Sequence, residues 1–419
     1  MNSTPTAAAR PVLGHTRRAV LLFVNFLLII LAYYQIKPAS RSLFVSHLGT
    51  DNLPYVWIGT ACVLGVIIGF YHGLVARYSR LAVVLGSLIT FTALLVSFRI
   101  LFYGGGAVVA VAFYIFVDIF SVIIVEQFWS LTNTIYTTDV GKRWYGFVAT
   151  GGLVGGVIGG KVASSLLKHT PLTTEDLLLV AAAMLVVLFF LNLFMSRLGI
   201  YQELPNGSEP EAAAGDWQLL VRNRYLLLIA AIILLSQLVE PIVEYQFLKS
   251  VESAYRETDA RTAYLSDFFA ALGLVSIAIN LGITPLVHRY LGVMVGLIAQ
   301  PLMVSLFSIA YMTQPTLMIA SALKISDRGL SYSINRASKE LLYIPIDPVR
   351  TYQAKAWIDM FGYRLFKVVG SVLILGLTQW FPLGISVVHL GYLTFLICAA
   401  WLAVLMLLTP EYRAVSVKA

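Results

Sequence analysis

The chain has 419 residues, 59% of them hydrophobic and only 12% charged, with a formal net charge of +8. Soluble domains carry about 45–50% apolar and about 25% charged residues, so a water-soluble globular fold is excluded and a polytopic helical membrane protein is expected. The two cysteines, Cys62 and Cys398, sit far apart in apolar runs; they make neither a disulfide framework nor a CxxC metal site, and they read as small buried apolar groups.

Residues 1–18, "MNSTPTAAARPVLGHTRR", precede an apolar run of spanning length. No small-residue cleavage site follows a short apolar core, so the stretch reads as a cytoplasmic tail before a retained first helix. Six runs of about 17–25 apolar residues lie within 19–196, near 19–36, 54–76, 81–102, 106–132, 145–167 and 176–196. A polar break at 197–224, with Pro, Gly, Ser and acidic residues, reads as a cytoplasmic central loop. Six more runs occupy 225–408, near 225–247, 264–286, 291–312, 315–335, 356–380 and 386–408, and charges interrupt the tenth and eleventh. Residues 409–419 form a second cytoplasmic tail. The pattern predicts an all-α fold of twelve transmembrane helices in two six-helix halves, a major-facilitator-like architecture whose halves rock about a site at mid-membrane.

Loop charge sets the orientation. With the N-terminus in the cytoplasm, seventeen Lys and Arg fall on the inner side, from Arg10 to Lys418, against seven outside, including Lys37 and Arg41. Both termini are expected inside, in a bacterial inner membrane, because neither an organelle transit segment nor a cleavable signal is recognisable. A Walker-type loop is absent, as are HExxH, GxSxG and paired-His patterns in the spans, which argues against an ATP-driven pump and against an enzyme. No cofactor, metal or nucleic-acid partner is expected; the partners are the bilayer and a small solute.

A charge near the bilayer centre costs at least about 2.5–3.5 kcal/mol and needs a partner, water or a ligand. Helix 4 carries Asp118 and Glu126, helix 5 Lys161, and helix 7 Glu240 and Glu244, with Asp267 near the start of helix 8. Glu240 and Glu244 share a helix face, and Pro241 between them loosens the local helix. In "ALKISDRGLSYSIN" Lys324, Asp327, Arg328, Ser331 and Asn335 make one polar stripe. Arg364 and Lys367, three apart on helix 11, leave two like charges that call for a counter-anion; Arg supplies a planar fork and Lys a point charge. The competing reading is structural: Asp327 neutralised by Arg328, Asp118 paired with Lys161, and Arg364 snorkelling to the surface. In "GGLVGGVIGGK" of helix 5, two adjacent rows of glycine every fourth residue predict close approach of another helix.

Several stretches, in order along nearly the whole chain, resemble the ATP/ADP translocase-type nucleotide transporter family. They are "LGTDNLPYVW" (48–57), "EQFWSLTNTIYTTDVGKRWYGFVATGGLVGG" (126–156), "LVEPIVEYQFLK" (238–249) and "SKELLYIPIDPVRTYQAKAWIDMFGYRLFKVVGS" (338–371). The resemblance implies exchange of nucleotides through a few intramembrane Lys and Glu residues. The family's helix 11 lysine matches Lys367, and its helix 7 glutamate matches Glu240. Its helix 4 glutamate falls on Val117, beside Asp118, and its helix 1 lysine on Ser40, beside Arg41.

The expected function is secondary transport of an anionic solute, a nucleotide or other phosphorylated metabolite. Lys367 and Arg364 meet the anion, with Lys324, Arg328, Glu240 and Arg41 completing the site. Glu244, Asp118, Glu126 and Asp327 balance charge or carry a proton. Tyr33, Tyr34 and Trp129 either stack on a base or pack the core. Two alternatives stand: a proton-coupled transporter in which the acids act, and a membrane scaffold or sensor that keeps the fold without transport.

Overall fold

A computed structural model describes residues 14–136, 138–201, 223–346, 358, 362–381 and 385–416. Most of the expected central loop, the side chain of Lys142, and Arg10, Arg222, Arg350, Lys355, Asp359 and Lys418 lie outside the described residues.

The first half holds α1 (His15–Leu48), α2 (Leu53–Arg77), α3 (Arg80–Leu101), α4 (Ala107–Ile135), α5 (Thr138–His169) and α6 (Leu177–Arg197). The second holds α7 (Arg224–Ala254) and α8, which runs as Thr258–Ala278, a π-helical stretch Ile279–Ile283, and Thr284–Tyr290. After α9 (Val293–Thr313), α10 is likewise split into Leu317–Leu330, a π-helical Ser331–Asn335, and Arg336–Tyr343. The described part of α11 is Tyr363–Leu375 with a π-helical end at Gly376–Trp380, and α12 is Leu390–Ser416. Side-chain caps start several helices: Ser79 accepts from the Ala82 amide, Asn223 from the Tyr225 and Leu226 amides, and Thr316 from the Ile319 amide. Each satisfies a donor that the first turn leaves open.

Among the described residues ten helices are long and apolar enough to cross a membrane, and the chain is an integral membrane protein of about ten to twelve such segments. The tenth and eleventh expected spans, 315–335 and 356–380, are not among the ten. Lys324, Asp327 and Arg328 interrupt α10, whose first α-helical segment has 14 residues, and of the eleventh expected span only Ile358 and the residues from Gly362 on are described.

One expectation is corrected at α1. The first span does not end at residue 36: the helix is 34 residues long, passes through Pro38 and keeps Lys37 and Arg41 inside it. An interior proline costs about 3 kcal/mol, but residues 38–45 are all buried against neighbouring helices, and that packing holds the helix together. Neither side chain is an outer-loop charge. Cys398 is buried as expected, whereas Cys62 is exposed, because α2 lies at the edge of the bundle.

Among the described residues, apolar packing forms three clusters. One lies within the first half around Phe113, Phe116 and Phe120, and one within the second half around Tyr225, Ile229 and Trp401. The third crosses between them, placing Phe44, Leu53 and Trp57 against Val239, Phe247 and Leu265. The polar contacts joining the halves gather at that same end, here called the closed face. Asp267 of α8 accepts from Lys161, Ser164 and Lys168 of α5. Asp51 accepts from Tyr245 and Lys249 of α7, and Asp259 accepts from the amide and hydroxyl of Thr174.

Glycine makes the α1–α5 contact close. A methyl at Gly151 or Gly155 would run into the backbone carbonyls of Phe23 or Leu27, and one at Gly160 into that of Ser266 on α8. The row of small residues therefore works as tight helix packing, on both halves at once.

Candidate functional site

Between the halves, away from the closed face, lies a cavity of about 1240 Å³. It is lined by α1, α2, α4 and α5 on one side and by α7, α8, α10 and α11 on the other. It reaches from Arg41, Glu244 and Lys324 at depth to Tyr145, Arg336 and Glu340 near the opposite, open face.

Of the residues singled out in sequence, Lys367, Arg364, Lys324, Arg328, Glu240, Arg41, Glu244, Asp118 and Glu126 all line this one cavity; Asp327 is buried behind it. Several are already paired. Arg41 of α1 donates to Asp118 of α4 at 2.8 Å and lies over the Tyr114 ring, 4.6 Å from its centre. Trp57 in turn donates to the Tyr114 hydroxyl at 2.8 Å, so the guanidinium rests on a ring that is itself fixed. The sequence expectation of an Asp118–Lys161 pair is therefore corrected. Lys161 lies on the closed face with Asp267, 2.6 Å away, because the α5 face that carries it turns toward α8.

Across the cavity, α7 and α10 form a charge ladder. Lys324 meets Glu244 at 2.5 Å, and Arg328 meets Glu240. Both acids and both bases are four residues apart, and antiparallel helices pair such sets crosswise. Asp327 is a looser third partner, 3.8 Å from the Lys324 ammonium and 3.6 Å from Nε of Arg328. Gln300 donates to its Oδ1 at 3.3 Å, while Oδ2 is buried without a hydrogen bond. Neutralisation of Asp327 by Arg328, one structural reading, is thus only partial.

The remaining basic groups have no carboxylate partner among the described residues. Lys367 holds its ammonium 5.9 Å from the ring centre of Trp57, on α2 of the other half. Arg364 lies toward the open face. Lys37 is a residue that sequence reasoning missed: its ammonium is surrounded by Tyr33, Tyr34 and Phe269, at 5.6, 5.3 and 4.3 Å from the ring centres. A signal existed, since Tyr33, Lys37 and Arg41 recur every fourth residue, but it was hidden by ending the span at residue 36. Glu126 is likewise without a cation among the described residues. Tyr332 and Ser333 enter the cavity from the π-helical stretch of α10, and Asn280 from that of α8; such local widening of a helix turn recurs at functional sites.

The arrangement is suited to an anion. Among the described residues, seven basic and five acidic side chains line the cavity, and two lysines from opposite halves point into it unmatched by a carboxylate. Among the described residues no group of three His, Cys, Asp or Glu is arranged to hold a metal ion.

Comparison with known proteins agrees in kind. A family model described as TLC ATP/ADP transporter matches residues 108–325 and 313–412. ADP,ATP carrier protein 2 of Chlamydia pneumoniae is 22% identical over 352 residues, covering 72% of this chain and 65% of the relative. ADP,ATP carrier protein 1 of Chlamydia trachomatis is 24% identical over 345 residues, covering 73% and 65%. The chain thus spans a little under two thirds of the length of these relatives. Among solved structures, a bacterial homologue of the iron transporter ferroportin in an inward-facing state superposes with a TM-score of 0.63. It is 13% identical and covers 96% of this chain and 100% of that one. A point mutant of the nucleoside transporter NupG gives 0.61 at 14% identity, covering 94% and 98%. These likenesses show a major-facilitator-like fold.

Proposed function

Because the chain belongs to the TLC ATP/ADP transporter family, we propose that it is a secondary transporter of an anionic solute, with a nucleotide as the favoured cargo. The observation that carries this reading is that Lys37 and Lys367, from opposite halves, face one cavity without a carboxylate partner among the described residues. An ammonium in such a setting has lost hydration that only an anion or water can replace. Phosphate oxygens engaging both lysines tie the halves together around the cargo, which favours closure of the open face and release of the closed one.

Each residue has a part in this mechanism. Lys37 and Lys367 meet the anion first, and Arg364 draws it in from the open face. Lys324 and Arg328 are held in position by their ion pairs with Glu244 and Glu240. Arg41, fixed by Asp118 and Tyr114, presents a constant positive wall. Loop charge supports an orientation with the open face toward the cytoplasm, in a bacterial inner membrane.

A thermal-shift series with nucleotides and phosphorylated metabolites, run on wild type and on Lys367→Gln, tests the reading. Stabilisation by a nucleotide in wild type and its loss in the variant are expected; equal stabilisation of both removes Lys367 from the site. A second reading, proton coupling, is favoured by the buried Asp327 Oδ2 that lacks a hydrogen bond. Uptake that follows an imposed pH gradient and is abolished in Asp327→Asn would support it over exchange.

A further inference from the structure

The two walls of the cavity differ in chemistry. Among the described residues, the first half contributes seven aromatic side chains and the second two, Phe269 and Tyr332. Basic side chains run the other way, two from the first half and five from the second. Counting acids, the first-half wall is neutral, with Lys37 and Arg41 against Asp118 and Glu126. The second-half wall, among the described residues, keeps a surplus of two positive charges.

Depth sharpens the contrast. Phe26, Trp129 and Tyr145 cluster on the first-half wall near the open face. Trp129 stands edge-on to Phe26 at 5.6 Å and to Tyr145 at 6.1 Å. Trp129 lies eleven residues beyond Asp118 on α4, about 16 Å along the helix axis. The rings are therefore set well apart from the deep cations, with cavity between them.

From this segregation we infer that the cavity binds a nucleotide in one orientation, its base on the Phe26–Trp129–Tyr145 wall and its phosphates at depth, on Lys37, Lys324 and Lys367. The inference rests on the nucleotide reading above and adds to it a ring subsite and a direction. Stacking tolerates any base, since each has a π face, so this wall favours planar rings in general. The phosphate end is held by charge, so it counts anionic oxygens and not the ring. A cargo with both parts fills the cavity from the ring wall to the deep cations; inorganic phosphates alone or nucleosides alone fill one end of it.

The test measures dissociation constants of ATP and of inorganic tripolyphosphate for the full chain, in wild type, Trp129→Ala, Trp129→Phe and Lys367→Gln. The inference expects Trp129→Ala to weaken ATP by about tenfold or more with tripolyphosphate unchanged, and Trp129→Phe to restore most of the loss. Lys367→Gln is expected to weaken both ligands. If Trp129→Ala does not fold, Tyr145→Leu probes the same wall and carries the same expected asymmetry. Unchanged ATP affinity in the wall variants, or equal losses for ATP and tripolyphosphate, overturns the ring subsite while leaving the nucleotide reading in place. Binding of neither ligand to wild type overturns the nucleotide reading, and the subsite falls with it.

Discussion

Lys37 of α1 holds its ammonium 4.3 Å from the ring centre of Phe269 on α8, so a cation of one half rests on a ring of the other. A cation over an aromatic face is worth about 0.5–2 kcal/mol, less than the several kcal/mol it costs to desolvate an ion. The empty cavity therefore carries a standing electrostatic cost that an arriving anion relieves, and the same contact reports on how the halves are placed.

This gives a prediction of opposite signs for one substitution. Lys37→Gln removes a charge with no carboxylate partner among the described residues, so the empty protein is expected to melt at the same or a higher temperature. Anion binding should fall by about tenfold or more, since a charge-assisted hydrogen bond is worth about 1.5–3 kcal/mol. Melting curves with and without ATP read both effects. A variant that melts lower yet binds ATP as well as wild type would show that Lys37 is a structural residue.

The ladder between α7 and α10 should behave cooperatively. Glu244→Gln strips the partner from Lys324, whose side chain is 2% exposed. Breaking such a pair typically costs about 3–5 kcal/mol. Asp327, 3.8 Å away, can take over the ammonium, so the single variant is expected to lose less than that. Adding Asp327→Asn removes the substitute, and the double variant should lose more than the sum of the two singles. Additive losses in denaturation experiments would mean that Asp327 does not share Lys324.

How far the sequence could be read shows in these same residues. The helices were legible because spanning runs of apolar residues leave little choice in a bilayer. Glu240, Glu244, Lys324 and Arg328 were legible as charges in apolar helices, and their four-residue spacing put each set on one face. Their crosswise pairing was not, because it depends on how two helices distant in sequence are aligned. Arg41–Asp118 and Lys161–Asp267 were missed for the same reason, being 77 and 106 residues apart. Lys37 was hidden by Pro38, which local propensity reads as a helix end and tertiary packing overrides.

Glycine packing predicts a position-specific response. A methyl at Gly155 meets the Leu27 backbone carbonyl, which cannot step aside, whereas one at Gly65 on α2 meets nothing within 4 Å. Gly155→Ala is expected to cost about 1–3 kcal/mol by overpacking. Gly65→Ala should be neutral or stabilising by up to about 1 kcal/mol through helix propensity. Comparable melting temperatures for the two variants would mean that α1 and α5 are not held as closely as their glycines allow.

The closed face should open more readily when Asp267 is neutralised. Its carboxylate is shared by Lys161, Lys168 and Ser164, all from the other half, so Asp267→Asn weakens three cross-half contacts at once. The two lysine side chains are 59% and 50% exposed, and exposed pairs are worth only about 0–1 kcal/mol each. The expected result is thus a shift of a few-fold in favour of a state open at this face, and not unfolding, since the apolar seal around Phe44, Trp57 and Phe247 remains. Spin labels at Thr170 and Glu257, both exposed on that face, should show a longer distance population that grows in the variant. High salt should produce a similar shift in wild type and little further change in Asp267→Asn, because screening acts on the same pairs. Identical distance distributions in both proteins at low salt would show that the face is held by its apolar contacts alone.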